Sequence, residues 1–304
     1  MIADVLILAG PGTVEEGINS YIADAATSVG LTSVTHVIGD PLEDWMTEET
    51  HPYWFVNNFD QVWILADEKI VQDYYSFDYS FRACGQEMLF AGKSVLISGE
   101  WYNYHLGTDI NYDVSFFLNI ADAWPNDFYG QDSVDGDYQE FSVNPDAIGD
   151  LTKCVKTVAF NLAGSFDLNP PVSPPVIPYG WADENILVRN IQNQPMIAAF
   201  EVPVFAPSSL GDGPPIGRLV ALLDRDVFDP IAEQAWPGDI NKRLTQNFLY
   251  WLSFRNVPPC SVFPLRLTQR DDQEGLSPTA RLDLSPSNSI QKNNSSRIFG
   301  GLYL

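Results

Sequence analysis

Basic residues are scarce in this chain of 304 residues, which contains 16 lysines and arginines against 40 aspartates and glutamates and has a net charge of −24. Binding to nucleic acid or to an anionic membrane surface requires clustered lysine and arginine side chains. The composition therefore argues against nucleic acid and anionic membranes as partners. The excess of acid fits a solvated surface, a bound cation or a basic protein partner, and it does not choose between them.

Cysteine and histidine are also rare, with three of each. Cys84, Cys154 and Cys260 are odd in number and widely spaced, so they predict neither a disulfide framework nor a zinc motif. Each is expected to be a small buried or half-buried residue.

Long apolar runs are missing as well, and none approaches the length of a membrane span. The apolar run that follows Met1 lacks a basic flank and is too short for an export signal. We therefore expect a soluble protein without membrane insertion, which is either cytoplasmic or incorporated into a particle or larger assembly.

Strand and helix patterns alternate through the first 110 residues. Apolar runs at 4–10, 33–39, 60–67 and 93–99 predict four strands, and the helical spacing of apolar residues at 14–30 and 79–92 predicts helices between them. Nearly continuous Val, Ile and Leu in such strands is typical of a parallel sheet covered on both faces. The fold class predicted is α/β, a three-layer sandwich with a mostly parallel central sheet.

The second half of the chain divides into three parts. Residues 112–180 contain one helix pattern, a polar acidic stretch and a proline-rich connection, and they predict an insertion. Order returns with patterns at 184–190, 195–203 and 217–229, of which the last two are expected to be neighbouring strands. A helix with one apolar face follows at 240–254.

The composition changes near residue 259. Residues 260–304 contain five basic and four acidic residues, a net charge of +1, whereas residues 1–259 contain 11 and 36, a net charge of −25. We therefore divide the chain into an α/β domain, 1–258, and an extended or flexible C-terminal arm, 259–304. The composition fits a flexible linker and a segment that orders on another subunit equally well. The apolar end of the arm, IFGGLYL, slightly favours the segment that orders.

Three segments resemble the class I glutamine amidotransferase-like superfamily, which has a flavodoxin-like α/β sandwich. They are DVLILAG, the pair FDQVWILAD and FAGKSVLISGEW, and the pair GRLVALLDRDVFD and NKRLTQNFLYWL, and the resemblance covers about residues 1–255. The last pair is similar to the closing strand, loop and helix of non-catalytic relatives, including domains of intraflagellar-transport and gliding-motility proteins.

The chain departs from the enzymes of that superfamily at the position of the nucleophile. The resemblance implies a cysteine at the sharp turn after a central strand, with a histidine and a glutamate downstream. Here the turn reads Gly99-Glu100-Trp101, and no histidine follows Cys154 or Cys260. Because glutaminase chemistry needs an activated thiolate beside a base, we expect no Cys-His-Glu triad and no catalytic residues of this type.

Acidic and aromatic side chains follow the predicted strands at the edge where open α/β sheets bind ligands. Carboxylates that meet there could bind a hard divalent cation through oxygen or act as an acid and base pair on a glycosidic bond. Acids at such positions also cap turns and helices, and aromatic residues there also pack as core. The candidate ligand-binding residues are Asp67, Glu100, Trp101, His105, Asp109 and Asp224.

Two functions lead on the sequence, and a small-ligand binding module is a third. The first is a non-catalytic amidotransferase-like domain that acts in recognition or as a structural subunit of an assembly such as a virion or surface appendage, with protein partners or self-assembly through the arm. The second is a hydrolase or carbohydrate-active enzyme that uses an acidic crevice around Glu100. Neither requires a cofactor, and none is predicted apart from the divalent cation that the carboxylates would allow.

Overall fold

A seven-stranded sheet forms the centre of the protein, seen in a computed structural model that describes residues 3–37, 53–65, 85–99, 111–123, 127–130, 138–160, 164–168, 181–203, 216–230 and 240–260. Its strands, in chain order, are β1 (Val5–Ala9), β2 (Ser33–Val37), β3 (Gln61–Leu65), β4 (Ser94–Ser98), β9 (Ile186–Arg189), β10 (Pro195–Pro203) and β11 (Ile216–Leu222). Four further strands are described between β4 and β9: β5 (Asp127–Gly130), β6 (Gln139–Ser142), β7 (Thr157–Phe160) and β8 (Gly164–Asp167).

The strand order in the sheet is β2-β1-β3-β4-β11-β10-β9. The first five strands in this order are parallel to one another, β10 is antiparallel to β11, and β9 is antiparallel to β10. The order 2-1-3-4 followed by the next parallel strand is that of the doubly wound, flavodoxin-like fold. The predicted fold class, a mostly parallel α/β sandwich, is confirmed.

Helices cover both faces of this sheet. The described helices are α1 (Pro11–Glu15), α2 (Ile18–Ser28), α3 (Tyr53–Asn58), α4 (85–90), α5 (Asn111–Ile120) and α6 (Ile240–Leu252). None of these described helices is long and apolar enough to cross a bilayer.

The core is built from the alternating side chains of the buried strands. One face of the sheet, with Leu6, Val62 and Ile97, packs in a single apolar cluster with Phe59 beside α3 and Phe117 of α5. On the other face, α2 packs against β1, β2 and α6. Because successive side chains of a strand point to opposite faces, strands that are apolar at every position, such as β1, need cover on both sides, which is what the helices provide.

Helix α6 presents the apolar face that the sequence predicts. Leu244, Phe248, Leu249 and Leu252 are fully buried. The same helix also carries buried amides: Asn241 accepts a hydrogen bond from the Ala159 backbone N–H (2.9 Å) and donates one to the Ala159 carbonyl (2.8 Å). Satisfied buried amides of this kind fix the partner strand in one register, so α6 holds β7 of the insertion as well as the sheet.

The insertion contains more strand than the sequence indicates. Its predicted helix is present as α5, but the acidic stretch contributes β5 and β6, which pair antiparallel with β8 and β7 in two separate two-stranded sheets. These strands were missed because they are short, and because the paired residues lie from 15 to 40 positions apart in the chain, so no local turn signal marks the pairing.

The cysteine prediction is wrong for two of the three residues. Cys154 and Cys260 form a disulfide across a separation of 106 residues, with their Cα atoms 5.5 Å apart, and both residues are exposed rather than buried. Sequence spacing could not reveal the pair, because the end of α6 returns to the turn at 151–154 only in the folded chain. Cys84 and the C-terminal segment 261–304 lie outside the described residues, and the division into a domain, 1–258, and an arm, 259–304, stays a prediction.

Candidate functional site

The carboxyl ends of β1, β3, β4 and β11 meet at one edge of the sheet, because these strands are parallel. In doubly wound sheets, loops at this edge bind ligands. Of the six candidate ligand-binding residues, Asp224 is described. The other five lie outside the described residues and stay predictions: Asp67, Glu100, Trp101, His105 and Asp109.

Asp224 lies at this edge, two residues beyond the end of β11, and it is 3% exposed. Its Oδ1 accepts a hydrogen bond from the Asp226 backbone N–H at 2.8 Å, which caps the 3₁₀ turn Arg225–Phe228. Asp224 is therefore placed at the predicted edge, with one carboxylate oxygen already used to start a turn. Capping is the structural role that we set against ligand binding for the acids at these strand ends.

Arg225 connects two loops at the same edge, and the sequence did not single it out. Its Nη1 donates to Thr13 Oγ1 at 3.0 Å, and its Nη2 lies 3.1 Å from Glu16 Oε2. Arg225 and Thr13 are buried, whereas the Glu16 side chain is 46% exposed. These contacts join the loop after β11 to the first turn after β1. The Thr13 hydroxyl accepts a hydrogen bond from Arg225 within the protein.

Tyr138 of the insertion is hydrogen-bonded to the segment that follows β11. Its hydroxyl donates to Asp229 Oδ2 at 2.5 Å. Burial of the phenol raises the pKa of Tyr138 above its ordinary value, and the hydrogen bond to Asp229 and the negative charges of Asp229, Asp226 and Asp224 raise it further. The phenol therefore stays a neutral donor, and it connects the insertion to the carboxyl edge of the sheet.

Tyr138→Phe is expected to reduce the loss of stability at alkaline pH. A phenol whose pKa rises on folding keeps its proton in the folded chain, while the unfolded chain loses it above a pKa of about 10. The stability from this group is thus complete below about pH 10 and is lost as the pH rises, by at most about 1.4 kcal/mol per pH unit. Urea unfolding from about pH 8 to pH 11 measures the difference, and Tyr250→Phe on α6 is the control. Equal slopes for wild type and Tyr138→Phe would contradict the assignment.

Within the described part of the chain, no group of three or more His, Cys, Asp or Glu side chains is arranged to hold a metal ion. Asp224, Asp226 and Asp229 follow one another along the chain, but their contacts cap the 3₁₀ turn and bind Tyr138. A divalent cation bound by the predicted carboxylates of the edge stays a prediction.

Strand β4 lies between β3 and β11 and ends where the superfamily resemblance implies a nucleophile. Ser98 pairs with Leu65 on one side and with Leu222 on the other. The Gly99 backbone N–H still donates to the Leu222 carbonyl at 2.8 Å, so the sheet pairing runs into the turn. The next residue in the sequence is Glu100.

A groove lies beside the end of α6, away from the carboxyl edge of the sheet. It is an open groove of about 720 Å³ whose wall includes Arg218, Trp251 and Phe254. The Arg218 guanidinium stacks over both rings, at 4.7 Å from the Trp251 centroid and 4.5 Å from that of Phe254, and it donates to Glu201 Oε1. Phe254 is 47% exposed. An open wall of mixed charge with an exposed ring is more typical of contact with a polar surface than of an enclosed small-molecule site.

Comparisons with known proteins leave the family open. The chain matches no family model and no curated protein sequence. It is similar to the crystal structure of a protein described as ThuA-like from Parabacteroides merdae, with 11% sequence identity and a TM-score of 0.43, over 85% of this chain and 92% of that one. At that identity and TM-score the likeness assigns neither a family nor an activity, and the doubly wound fold rests on the strand order described above.

Proposed function

We propose that this chain is a non-catalytic amidotransferase-like domain that acts in recognition or as a structural subunit of a larger assembly, such as a virion or a surface appendage. The observation that carries the proposal is the end of β4. This strand is central in the parallel sheet, and the turn after it reads Gly99-Glu100. An acid at that position cannot replace the thiolate on which the chemistry of the related enzymes depends.

The other cysteines and histidines also support a domain without a Cys-His-Glu triad. Cys154 and Cys260 are joined to each other, and a disulfide sulfur is not a thiolate nucleophile. His36, the described histidine, is buried on β2, which is separated from β4 by the two strands β1 and β3. A Cys-His pair would therefore have to be built from Cys84 and the remaining histidines, His51 and His105.

The C-terminal arm supplies the means of assembly in this proposal. The arm, 259–304, is nearly neutral, whereas the domain before it carries a net charge of about −25. Two such domains repel each other in solution, but a neutral arm with five basic residues can lie on an acidic neighbour without that repulsion. Its apolar end contains Ile298, Phe299, Leu302, Tyr303 and Leu304, which gain free energy when another subunit removes them from water.

The disulfide supports the particle form of this proposal. Structural disulfides persist in oxidising surroundings and are rare in the reducing cytosol. A subunit that leaves the cytosol in a particle or on a surface would keep the Cys154–Cys260 bond.

Sedimentation velocity over a concentration series tests the assembly proposal. The full-length protein is expected to form oligomers as its concentration rises. A variant with Ile298, Phe299, Leu302, Tyr303 and Leu304 all replaced by serine is expected to stay monomeric, since it loses the apolar surface of the arm. Leu282→Ser, Leu284→Ser and Ile290→Ser, combined in one chain, make the same chemical change in the middle of the arm and should leave assembly intact. A wild-type chain that is monomeric at every concentration would contradict self-assembly through the arm.

A hydrolase or carbohydrate-active enzyme is the second candidate, and one observation favours it. Because Ser98 pairs with Leu222, Glu100 and Asp224 each follow a paired position by two residues on adjacent parallel strands. Two carboxyl groups that start from neighbouring strand ends can come within the separation of about 5 to 9 Å that glycosidases use.

Glu100→Gln separates the two candidates. In a hydrolase of this kind the substitution should lower turnover of glycosidic substrates by a factor of about a hundred or more, since it removes the general acid or base. In a non-catalytic subunit it should leave the sedimentation profile unchanged, and wild type should show no turnover to lose. Asp226→Asn, which changes an acid of the same edge outside the proposed pair, is the control.

A further inference from the structure

The Cys154–Cys260 disulfide is open to solvent. Both residues are exposed. Cys154 has a left-handed backbone, with φ of 64°, a conformation that residues other than glycine adopt rarely. Exposed disulfides are the ones that small thiols reach and exchange with most readily.

The two sulfur atoms differ in their surroundings. Arg243 of α6 donates from Nη2 to the Cys154 sulfur at 3.7 Å, and the same nitrogen donates to the Pro258 carbonyl at 2.8 Å. Burial lowers the pKa of Arg243 from its ordinary value, but a guanidinium stays charged at neutral pH. A cation beside a sulfur stabilises its thiolate.

In thiol–disulfide exchange, the sulfur that forms the more stable thiolate is the better leaving group. An incoming thiol is therefore directed to the other sulfur of the pair. Here the guanidinium favours departure of Cys154 and attack at Cys260.

We propose that this disulfide is a thiol-exchange site, at which Cys260 takes up a low-molecular-weight thiol such as glutathione while Cys154 leaves as a thiolate beside Arg243. The thiolate of the incoming molecule attacks Cys260 Sγ, a new S–S bond forms there, and the bond to Cys154 Sγ breaks with its electron pair on Cys154. No net oxidation or reduction occurs in this step. The reverse attack by the Cys154 thiolate on Cys260 expels the small thiol and restores the original bond.

Exchange at this site removes the crosslink from the point at which the C-terminal segment begins. Oxidised, residue 260 is bonded to the turn at 151–154. With Cys260 modified, this bond is absent. The segment after α6 is then tied to the domain through Val257, which is buried, and through the Pro258 carbonyl, which accepts a hydrogen bond from Arg243. Exchange at Cys260 needs only the groups around the disulfide and does not depend on assembly through the arm.

Peptide mass spectrometry of trapped mixed disulfides tests the site. Full-length oxidised protein carrying Cys84→Ser is mixed with reduced glutathione, quenched in acid, alkylated with N-ethylmaleimide and digested. We expect glutathione on Cys260 and maleimide on Cys154 to outnumber the reverse pattern by about tenfold. The same protein unfolded in guanidinium chloride should give a ratio near one, because the Arg243 contact is lost.

Two variants separate the charge of Arg243 from its packing. Arg243→Lys keeps a cation and should keep most of the bias, whereas Arg243→Gln should bring the ratio close to one, with folding checked by circular dichroism. The proposal is overturned if the folded Cys84→Ser protein gives the same ratio as the unfolded one, if glutathione is mainly on Cys154, or if the folded disulfide does not exchange at all. The comparison of folded with unfolded protein needs no change at Arg243, so the test holds if Arg243→Gln does not fold.

Discussion

Replacing Cys154 and Cys260 together by serine is expected to lower the free energy of unfolding by about 3 to 5 kcal/mol. The bond closes a loop of 106 residues, and restricting the unfolded chain over a loop of about 100 residues is worth about 4.7 kcal/mol in the chain-entropy model. Because both residues are exposed, two serines there bury no polar group and add no cost of their own. The loss should therefore come almost entirely from the bond.

Urea unfolding of the oxidised wild type, the double variant and the wild type in dithiothreitol measures this effect. The double variant and the reduced wild type should agree with each other, and Cys84→Ser should keep the full bond contribution. A loss below about 1 kcal/mol would contradict this prediction, because it would show that the bond contributes little to the free energy of unfolding.

Gly149→Ala is expected to destabilise the domain by about 2 to 5 kcal/mol, since two costs add. Gly149 has φ of +63°, where a side chain is strained, and a Cβ built there would lie 2.2 Å from Nε1 of Trp251, a residue that is 2% exposed. The indole belongs to α6 and closes the wall of the groove beside Arg218, so it cannot move aside without breaking the cation–π contact.

Gly30→Ala is the matched control for this prediction. Gly30 ends α2 with φ of +75°, and nothing lies within 4 Å of a Cβ added there. Its replacement carries the backbone strain alone, about 1 to 2 kcal/mol. Thermal and urea unfolding of both variants should therefore show a larger loss for Gly149→Ala. Equal losses would show that Trp251 does not pack tightly on Gly149.

The sheet could be predicted from the sequence because its strands are buried on both faces. A strand such as β1, VLILA, is apolar at every position because it is covered by helices on both faces. Its sequence pattern alone therefore predicts a buried strand. The expected pair of neighbouring strands, β10 and β11, and the apolar face of α6 are confirmed for the same reason. Each of these features is decided by residues close together in the sequence.

Features that depend on distant residues could not be predicted. The pairing of β5 with β8 and the disulfide each join segments that only the folded chain brings together. Arg225 belongs to the same group, because its partners Thr13 and Glu16 lie more than 200 residues earlier. The position of Asp224 at the carboxyl edge could be predicted, because it follows a strand that the sequence marks. Its hydrogen bond from the Asp226 backbone N–H depends on the backbone geometry of the turn, which the sequence pattern does not specify.

In the proposed assembly, the arm orders on a second copy of the chain. Hydrogen–deuterium exchange of the backbone amides at 263–304, followed over a range of protein concentrations, tests this ordering. Protection of the arm is expected to grow with concentration, to be strongest near Ile298 and Phe299, and to disappear in the five-serine variant. Exchange at the rate of an unprotected chain at every concentration, or protection that does not depend on concentration, would contradict assembly through the arm.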